Sequence, residues 1–283
     1  MQPEQLATLA AIVEHGTFEA AARHLHVTTS AVSQRVRALE TSAGQVLVRR
    51  TTPCEATPAG EVLVRLARQW ALLVDEAAPA PVSDLSVAVS ADALATWFRA
   101  VVAEVATWDG VTLRLHVEDQ GHSAELLRRG DVLAAVTSDP TAVQGCSVEP
   151  LGVMRYRPAA SPAYAERWRL GRGYDWARMP VVVFNEKDAL QHGLLAARGL
   201  GPPPVVHRVP TSHDFHEAVR LGLGWGLLPL AQLEPDLASG ALVLLSRRDH
   251  VDVPLYWQRW RLRSPTLDRL SGAVRRLGPA PGA

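Results

Sequence analysis

The sequence predicts an α/β chain with a helical N-terminal region, a long connecting helix and a two-lobed C-terminal part. Three observations predict it. The first 45 residues or so carry helical periodicity interrupted by short turns. Residues 57–76 form one long amphipathic run. From Leu85 onward, short apolar strand-like runs alternate with helical ones, which is the wiring of an α/β sheet. At 283 residues there is room for more than one domain, and 47% hydrophobic residues supply an ample core.

In the first helix Leu6, Leu9, Ile12 and Val13 recur on one face, and Gly16 ends it. Thr17 suits an N-cap, and Phe18, Ala21, Ala22 and Leu25 follow at helical spacing. His26-Val27-Thr28 breaks the pattern, and Thr29 or Ser30 is expected to cap the next helix. There Val32, Val36 and Leu39 make one apolar stripe. At roughly 100° per residue, Ser30, Gln34 and Arg37 point away from it, with Ser33 and Arg35 on its flanks. Two short helices joined by a tight turn, the second offering such groups, suit insertion into a DNA major groove. Gln and Arg can pair with base edges, and Ser suits bases or phosphates. Composition alone also fits a plain three-helix bundle with a polar face. Net charge is zero, so DNA binding has to rest on a local basic surface. The basic residues are arginines, with Lys187 the single lysine.

Thr57 should cap the long helix, in which Val62, Leu63, Leu66, Trp70, Leu73 and Val74 form apolar seams too extensive for the small N-terminal domain to cover. Residues 77–81, Ala-Ala-Pro-Ala-Pro, read as a semi-rigid boundary. Strands are then expected at 85–90, 111–117 and 132–137, with helices at 93–107 and 124–130, in a largely parallel sheet. Residues 181–184, 187–197, 205–209 and 212–221 repeat the scheme in a second lobe. A strand at 254–262 returns to the first, and 265–277 is a closing helix. Two lobes with two crossings make a cleft, as in periplasmic-binding-protein-like folds, and ligands in such sheets sit at the carboxyl ends of strands.

Those strand ends nominate residues. Ser90-Ala91-Asp92 opens the helix holding Thr96 and Trp97, where backbone N–H groups favour an anion such as an α-carboxylate. Glu118-Asp119 follows the second strand and Thr137-Ser138-Asp139 the third, and His213-Asp214 starts a second-lobe helix. Asp92, Asp119 and Asp214 are available for cationic groups, so a zwitterion with an extra positive charge, lysine or arginine, suits the cleft. Tyr156 lies near the crossing, but its alternation with Met154 also fits an ordinary strand.

Other chemistries fare worse. His207, His213, Asp214 and His216 suggest a metal site, with His213 and His216 able to share a helix face, but no Cys or carboxylate cluster completes a clear set. The glycines at 222, 224 and 226 precede a strand rather than link strand to helix, which argues against a phosphate loop. No nucleophile elbow or ordered triad is found. Cys54 and Cys146 do not suggest a disulfide framework. No signal peptide and no apolar run of about 18 residues is present, so a cytoplasmic protein without membrane partner, cofactor, metal or catalytic residue is expected.

The segment "FEAAARHLHVTTSAVSQRVRALE…GQVLVRRTTPCEATPAGE" resembles the winged helix-turn-helix of LysR-type transcriptional regulators. It keeps Phe18, Ala21-Ala22, Leu25, Ser30, Ser33, Leu39-Glu40, Arg50 and Thr57-Pro58-Ala59-Gly60, with Val48 where that family usually has Phe. The late Gly224-Trp225-Gly226-Leu227-Leu228-Pro229 is similar to a segment of the same family's effector domains. "SADALATWF", the stretch from Val117 to Tyr164 and "FNEKDALQH" resemble its LysG/ArgP branch. The resemblance implies a recognition helix at 30–37 preceded by Thr28 and Thr29, and a wing at 46–55 whose Arg49 and Arg50 touch phosphate or the minor groove. It implies an effector, lysine, arginine or histidine, surrounded by Ser90, Asp92, Thr96, Trp97, Asp119, Thr137 and His213. Further implications are a homodimer through the long helix, a tetramer, contact with RNA polymerase, and activation of a gene for exporting basic amino acids. The expected domains are a winged helix-turn-helix at 1–58, a linker helix and hinge at 59–82, and a two-lobed effector domain at 83–283. Lobe 1 is about 83–156 with 255–283, and lobe 2 about 157–254. An architectural or replication-origin DNA binder without ligand response remains open, and an enzyme using the cleft is the poorest fit.

Overall fold

A computed structural model describes residues 1–77, 83–118 and 123–279. The N-terminal domain holds α1 (Pro3–His15), α2 (Phe18–His24) and α3 (Thr29–Ala43), then a hairpin of β1 (Val48–Arg49) and β2 (Glu55–Ala56). Its local signals act where expected. Gly16 ends α1 in the left-handed region at φ 73°, and the Thr17 hydroxyl accepts the Ala20 N–H at 3.0 Å. The α3 cap differs from expectation: Thr28, not Thr29 or Ser30, accepts the Ala31 N–H, so helical geometry begins one residue earlier. Leu9, Ile12, Val32, Val36 and Leu39 are buried together, and Val48 fills the same core.

The long helix α4 (Pro58–Glu76) is tied to the hairpin at its start. Thr57 accepts from the Gly60 N–H at 3.1 Å and donates to the Val46 carbonyl at 2.8 Å. A Cβ on Gly60 would lie 2.0 Å from the Leu47 carbonyl oxygen, so only glycine permits this approach. The Glu40 carboxylate accepts the Leu47 N–H at 2.9 Å and fixes where the chain leaves α3 for the hairpin. Further along, α4 turns two faces outward from this domain. Leu72 is buried in the core of the C-terminal part. Val62, Leu66, Trp70 and Leu73 remain exposed on the other side.

The C-terminal part opens with β3 (Ser83–Val89), α5 (Ala91–Ala95), α6 (Phe98–Val105), β4 (Val111–Val117), α7 (Ser123–Arg129) and β5 (Ala134–Thr137). The single helix expected at 93–107 is two helices. Thr96 at φ −117°, ψ −108° leaves helical geometry and breaks the run. Strand β6 (Cys146–Ala160) then crosses out of lobe 1. Lobe 2 contains α8 (Pro162–Arg167), the small ribbon β7 (Arg169–Leu170) and β8 (Gly173–Tyr174), β9 (Val181–Val183) and α9 (Leu190–Ala197). It continues through β10 (Val206–Arg208), α10 (Ser212–Arg220), β11 (Gly226–Pro229), α11 (Leu230–Ser239) and β12 (Val243–Leu244). Strand β13 (Val251–Trp260) crosses back and α12 (Pro265–Leu277) closes the chain.

β3 pairs in parallel with β4 and β5, but β13, β6 and β11 join antiparallel, so the sheet is mixed rather than largely parallel. The reason is topological: a strand returning directly to its own lobe runs opposite to strands linked by helical crossovers. β6 and β13 pair along almost their whole length, with a register slip between Leu255 and Tyr256. These two strands are the double crossing between lobes. The 77–81 boundary lies outside the described residues beyond Ala77. Among the described residues no helix is long and apolar enough to cross a membrane.

Candidate functional site

Helix α3 presents one face to solvent. Ser30, Gln34 and Arg37 are exposed there, Ser33 and Arg35 are half-buried beside them, and Val32, Val36 and Leu39 anchor the opposite face. The turn before α3 needs His26 at φ 53°, a left-handed position that lets the chain reverse between α2 and α3. Thr28 is exposed, but its hydroxyl is occupied with capping and lies 2.9 Å from that of Ser30. Thr29 is half-buried at the first position of the helix. In the hairpin, Arg49 stands opposite Glu55 on the paired strands. The Arg50 guanidinium lies 4.9 Å from the centre of the Phe18 ring, a cation–π contact that holds it against α2. The basic groups and the polar face of α3 thus belong to one rigid domain.

A second site lies between the lobes, a cavity of about 270 Å³. Lobe 1 contributes Ser90, Asp92 and Ser138, and lobe 2 contributes a rim of Phe184 and residues 187–191. Tyr156 and Val253 come from the crossing strands, and Phe215 and Leu227 complete an apolar floor. Ser90 is buried and its hydroxyl accepts the Ala93 N–H at 3.2 Å. The Asp92 carboxylate joins three elements. Its Oδ2 accepts from the Tyr156 hydroxyl at 3.0 Å, and its Oδ1 accepts from the Ser212 hydroxyl of α10 at 2.8 Å. Tyr156 is also 3.0 Å from the Met154 sulfur, but the charged oxygen is the stronger acceptor for its one proton.

The lobe 2 rim is built by side-chain oxygens that accept backbone N–H groups. Asn185 Oδ1 accepts from Lys187 (2.8 Å) and Asp188 (3.1 Å). Asp188 accepts from Phe184 (2.8 Å) and Leu190 (3.1 Å). The buried Gln191 amide, with its nitrogen toward Asp188, donates to both carboxylate oxygens at 3.1 and 3.0 Å.

Of the expected effector residues, Ser90 and Asp92 meet at this cavity. Thr96, Trp97, Thr137 and His213 are not among its lining residues. Thr96 donates to the Asp92 backbone carbonyl at 2.6 Å, where it serves the helix break. Trp97 packs edge-on against Phe98, with ring centres 5.3 Å apart. Thr137 is fully buried, donates to the Asp139 carbonyl at 3.0 Å and accepts from Gln258 at 3.3 Å. His213 is exposed, and its neighbour Asp214 accepts from Thr211 in a local cap. Asp119 lies outside the described residues. Sequence reasoning missed Ser212, which reaches the Asp92 carboxylate, and the polar work of residues 185–191 at the rim, because both meet lobe 1 only when lobe 2 folds over it. The "FNEKDALQH" stretch was the one signal available for the rim.

A helix-turn-helix with a hairpin wing, a long linking helix and a two-lobed cavity domain define a ligand-binding DNA-binding regulator. The description "bacterial regulatory helix-turn-helix protein, lysR family" matches residues 3–61, and "LysR substrate binding domain" matches 80–278. The chain belongs to the LysR family of transcriptional regulators, which are not enzymes. It is 51% identical to the lysine export transcriptional regulatory protein LysG of Corynebacterium efficiens over 281 residues, 97% of each chain. Among solved structures, it is similar to full-length LysG of Corynebacterium glutamicum with bound effector arginine (46% identity, TM-score 0.83, 98% of each chain). It is also similar to ArgP of Mycobacterium tuberculosis (45% identity, TM-score 0.89, 99% of this chain and 98% of that one).

Proposed function

We propose that this regulator senses a basic amino acid, arginine or lysine, in the cavity between its lobes and activates a gene for exporting such amino acids. The observation that carries the reading is the Asp92 carboxylate, oriented by Tyr156 and Ser212 beside an apolar floor. A cation at the end of a methylene chain satisfies both surfaces. Support comes from the arginine-bound LysG structure and from the lysine-export regulator at 51% identity. On DNA, Ser30, Ser33, Gln34, Arg35 and Arg37 would read or flank bases. Thr28 and Thr29 would lie at the entry of the helix, and Arg49 and Arg50 in the wing would meet phosphate or the minor groove. The exposed stripe of α4 pairs with that of a second copy, effector domains assemble dimers into a tetramer, and the complex meets RNA polymerase. The ligand acts by binding one arrangement of lobes better than another.

The test is tryptophan fluorescence with a thermal-shift control, titrating each of the twenty amino acids into wild type and Asp92→Ala. A saturable response to arginine or lysine, lost in the variant, is expected. Silence toward both in the wild type overturns the effector class and leaves the family assignment intact.

A further inference from the structure

We propose that Lys187 is a specificity-determining residue of the cavity and receives the α-carboxylate of the bound amino acid from the lobe 2 side. This rests on the amino-acid reading above. From sequence, the carboxylate belonged on backbone N–H groups after Ser90. The structure argues against that place. The helix there, α5, is only five residues long, and its Ala93 N–H is already taken by the Ser90 hydroxyl. The Asp92 carboxylate stands on the same turn, so a second carboxylate there would meet like charge.

The opposite wall carries the complementary charge. Lys187, the single lysine of the chain, lies on the cavity rim and forms no ion pair among the described residues. Its neighbour Asp188 does not compete for the incoming group. That carboxylate is turned into the rim, accepting two backbone N–H groups and the Gln191 amide. The Lys187 backbone is itself pinned, its N–H donating to Asn185 Oδ1 at 2.8 Å. An exposed ammonium on a fixed backbone point, facing a cavity whose other wall is anionic, suits a ligand with charges of both signs. Recognition is then split between lobes, Asp92 taking a cationic group and Lys187 the carboxylate, so a ligand lacking either group closes the lobes less well.

The experiment removes the carboxylate from the ligand and the ammonium from the protein. Arginine and its decarboxylated amine agmatine, and lysine and cadaverine, are titrated calorimetrically into the full-length wild type, Lys187→Met and Lys187→Arg. Wild type is expected to prefer arginine over agmatine by about tenfold or more, the scale of a charge-assisted contact. Lys187→Met should lose arginine affinity, leave agmatine nearly unchanged and so erase the preference, whereas Lys187→Arg should keep most of it. Circular dichroism and thermal unfolding confirm that each variant is folded, as expected for an exposed side chain. Equal arginine and agmatine affinity in wild type, or an undiminished preference in Lys187→Met, overturns the assignment. If wild type ignores both basic amino acids but binds another, the basic-effector reading falls, and that amino acid against its own decarboxylated amine decides Lys187. Silence toward all twenty overturns both.

Discussion

Ser212 of lobe 2 donates its hydroxyl to the Asp92 carboxylate of lobe 1 at 2.8 Å, and the same carboxylate accepts from Tyr156 on a crossing strand at 3.0 Å. One side chain therefore joins both lobes and the crossing while facing the cavity. A ligand cation that reaches Asp92 acts directly on the contact that sets how the lobes meet. Tyr156 is 1% exposed, so losing its hydroxyl is not compensated by solvent. Tyr156→Phe should lower stability by about 1.5–3 kcal/mol, the range for hydrogen bonds to charged groups. Urea unfolding measures this, and an unchanged midpoint would contradict the contact.

The linker helix docks on its own effector domain through a close approach that needs glycine. Gly130 has φ 74°, and a Cβ there would lie 2.7 Å from Arg65 Cα. Beside it Arg68 pairs with Asp131 at 2.7 Å, and Arg65 donates to the Arg128 carbonyl at 3.2 Å. Gly130→Ala should cost at least ~1 kcal/mol from the left-handed backbone alone, and the clash adds to it. Hydrogen exchange should rise over residues 65–72. Wild-type protection there would show that the helix tolerates the methyl.

Trp70 is 51% exposed in the middle of the α4 stripe. Burying such a side chain in a dimer contributes about 1.5–3 kcal/mol, and a carboxylate in its place opposes association. Trp70→Glu should sediment as a smaller species than wild type and bind a two-half-site operator more weakly. A dimer of wild-type strength would move the interface elsewhere.

Gln34 and Arg37 should each cost about 1–3 kcal/mol of operator binding when changed to Ala, if each pairs with a base edge. Random duplex at the same salt should be much less affected. Fluorescence anisotropy on both duplexes separates the cases, and equal loss on both would make these residues phosphate contacts instead.

Burial pushes the Cys146 thiol up to about 11, only partly offset by Arg65 and Arg261. Its native pKa lies above that of an ordinary thiol, so the unfolded state releases the proton first. The associated stability is complete below about pH 9 and is lost as pH rises toward 11. Cys146→Ala should flatten that part of the alkaline stability profile. Native Cys146 should also resist alkylation at pH 8, and rapid labelling there would contradict its burial.

Much of the local structure was legible along the chain. Thr17, Gly16 and Thr57 announced helix ends because caps act over three or four residues, and the stripe of Val32, Val36 and Leu39 oriented α3 because helical periodicity is local. The break at Thr96 was not legible: "ADALATWFRAVVAEV" is helical in composition, yet Thr96 leaves helical geometry where Phe98 enters the core and Trp97 packs against it.

The cavity shows where sequence reading ends. Ser90 and Asp92 could be nominated alone, since both follow the end of β3, a position that any α/β chain reveals. Ser212 and Lys187 could not, and Tyr156 could be placed only near the crossing, because they lie 120, 95 and 64 residues further on and reach Asp92 or its cavity only through the double crossing of β6 and β13. Sequence by itself determined the helices of the N-terminal domain, which side of α3 faces solvent and the class of protein, carried by short-range patterns and motifs. Tertiary structure alone decided which charges share the cavity, which α4 face docks and which stays bare, and that Thr137 and His213 stand apart from the site. Those outcomes depend on contacts between distant segments, whose geometry is set by lobe packing and not by any local propensity.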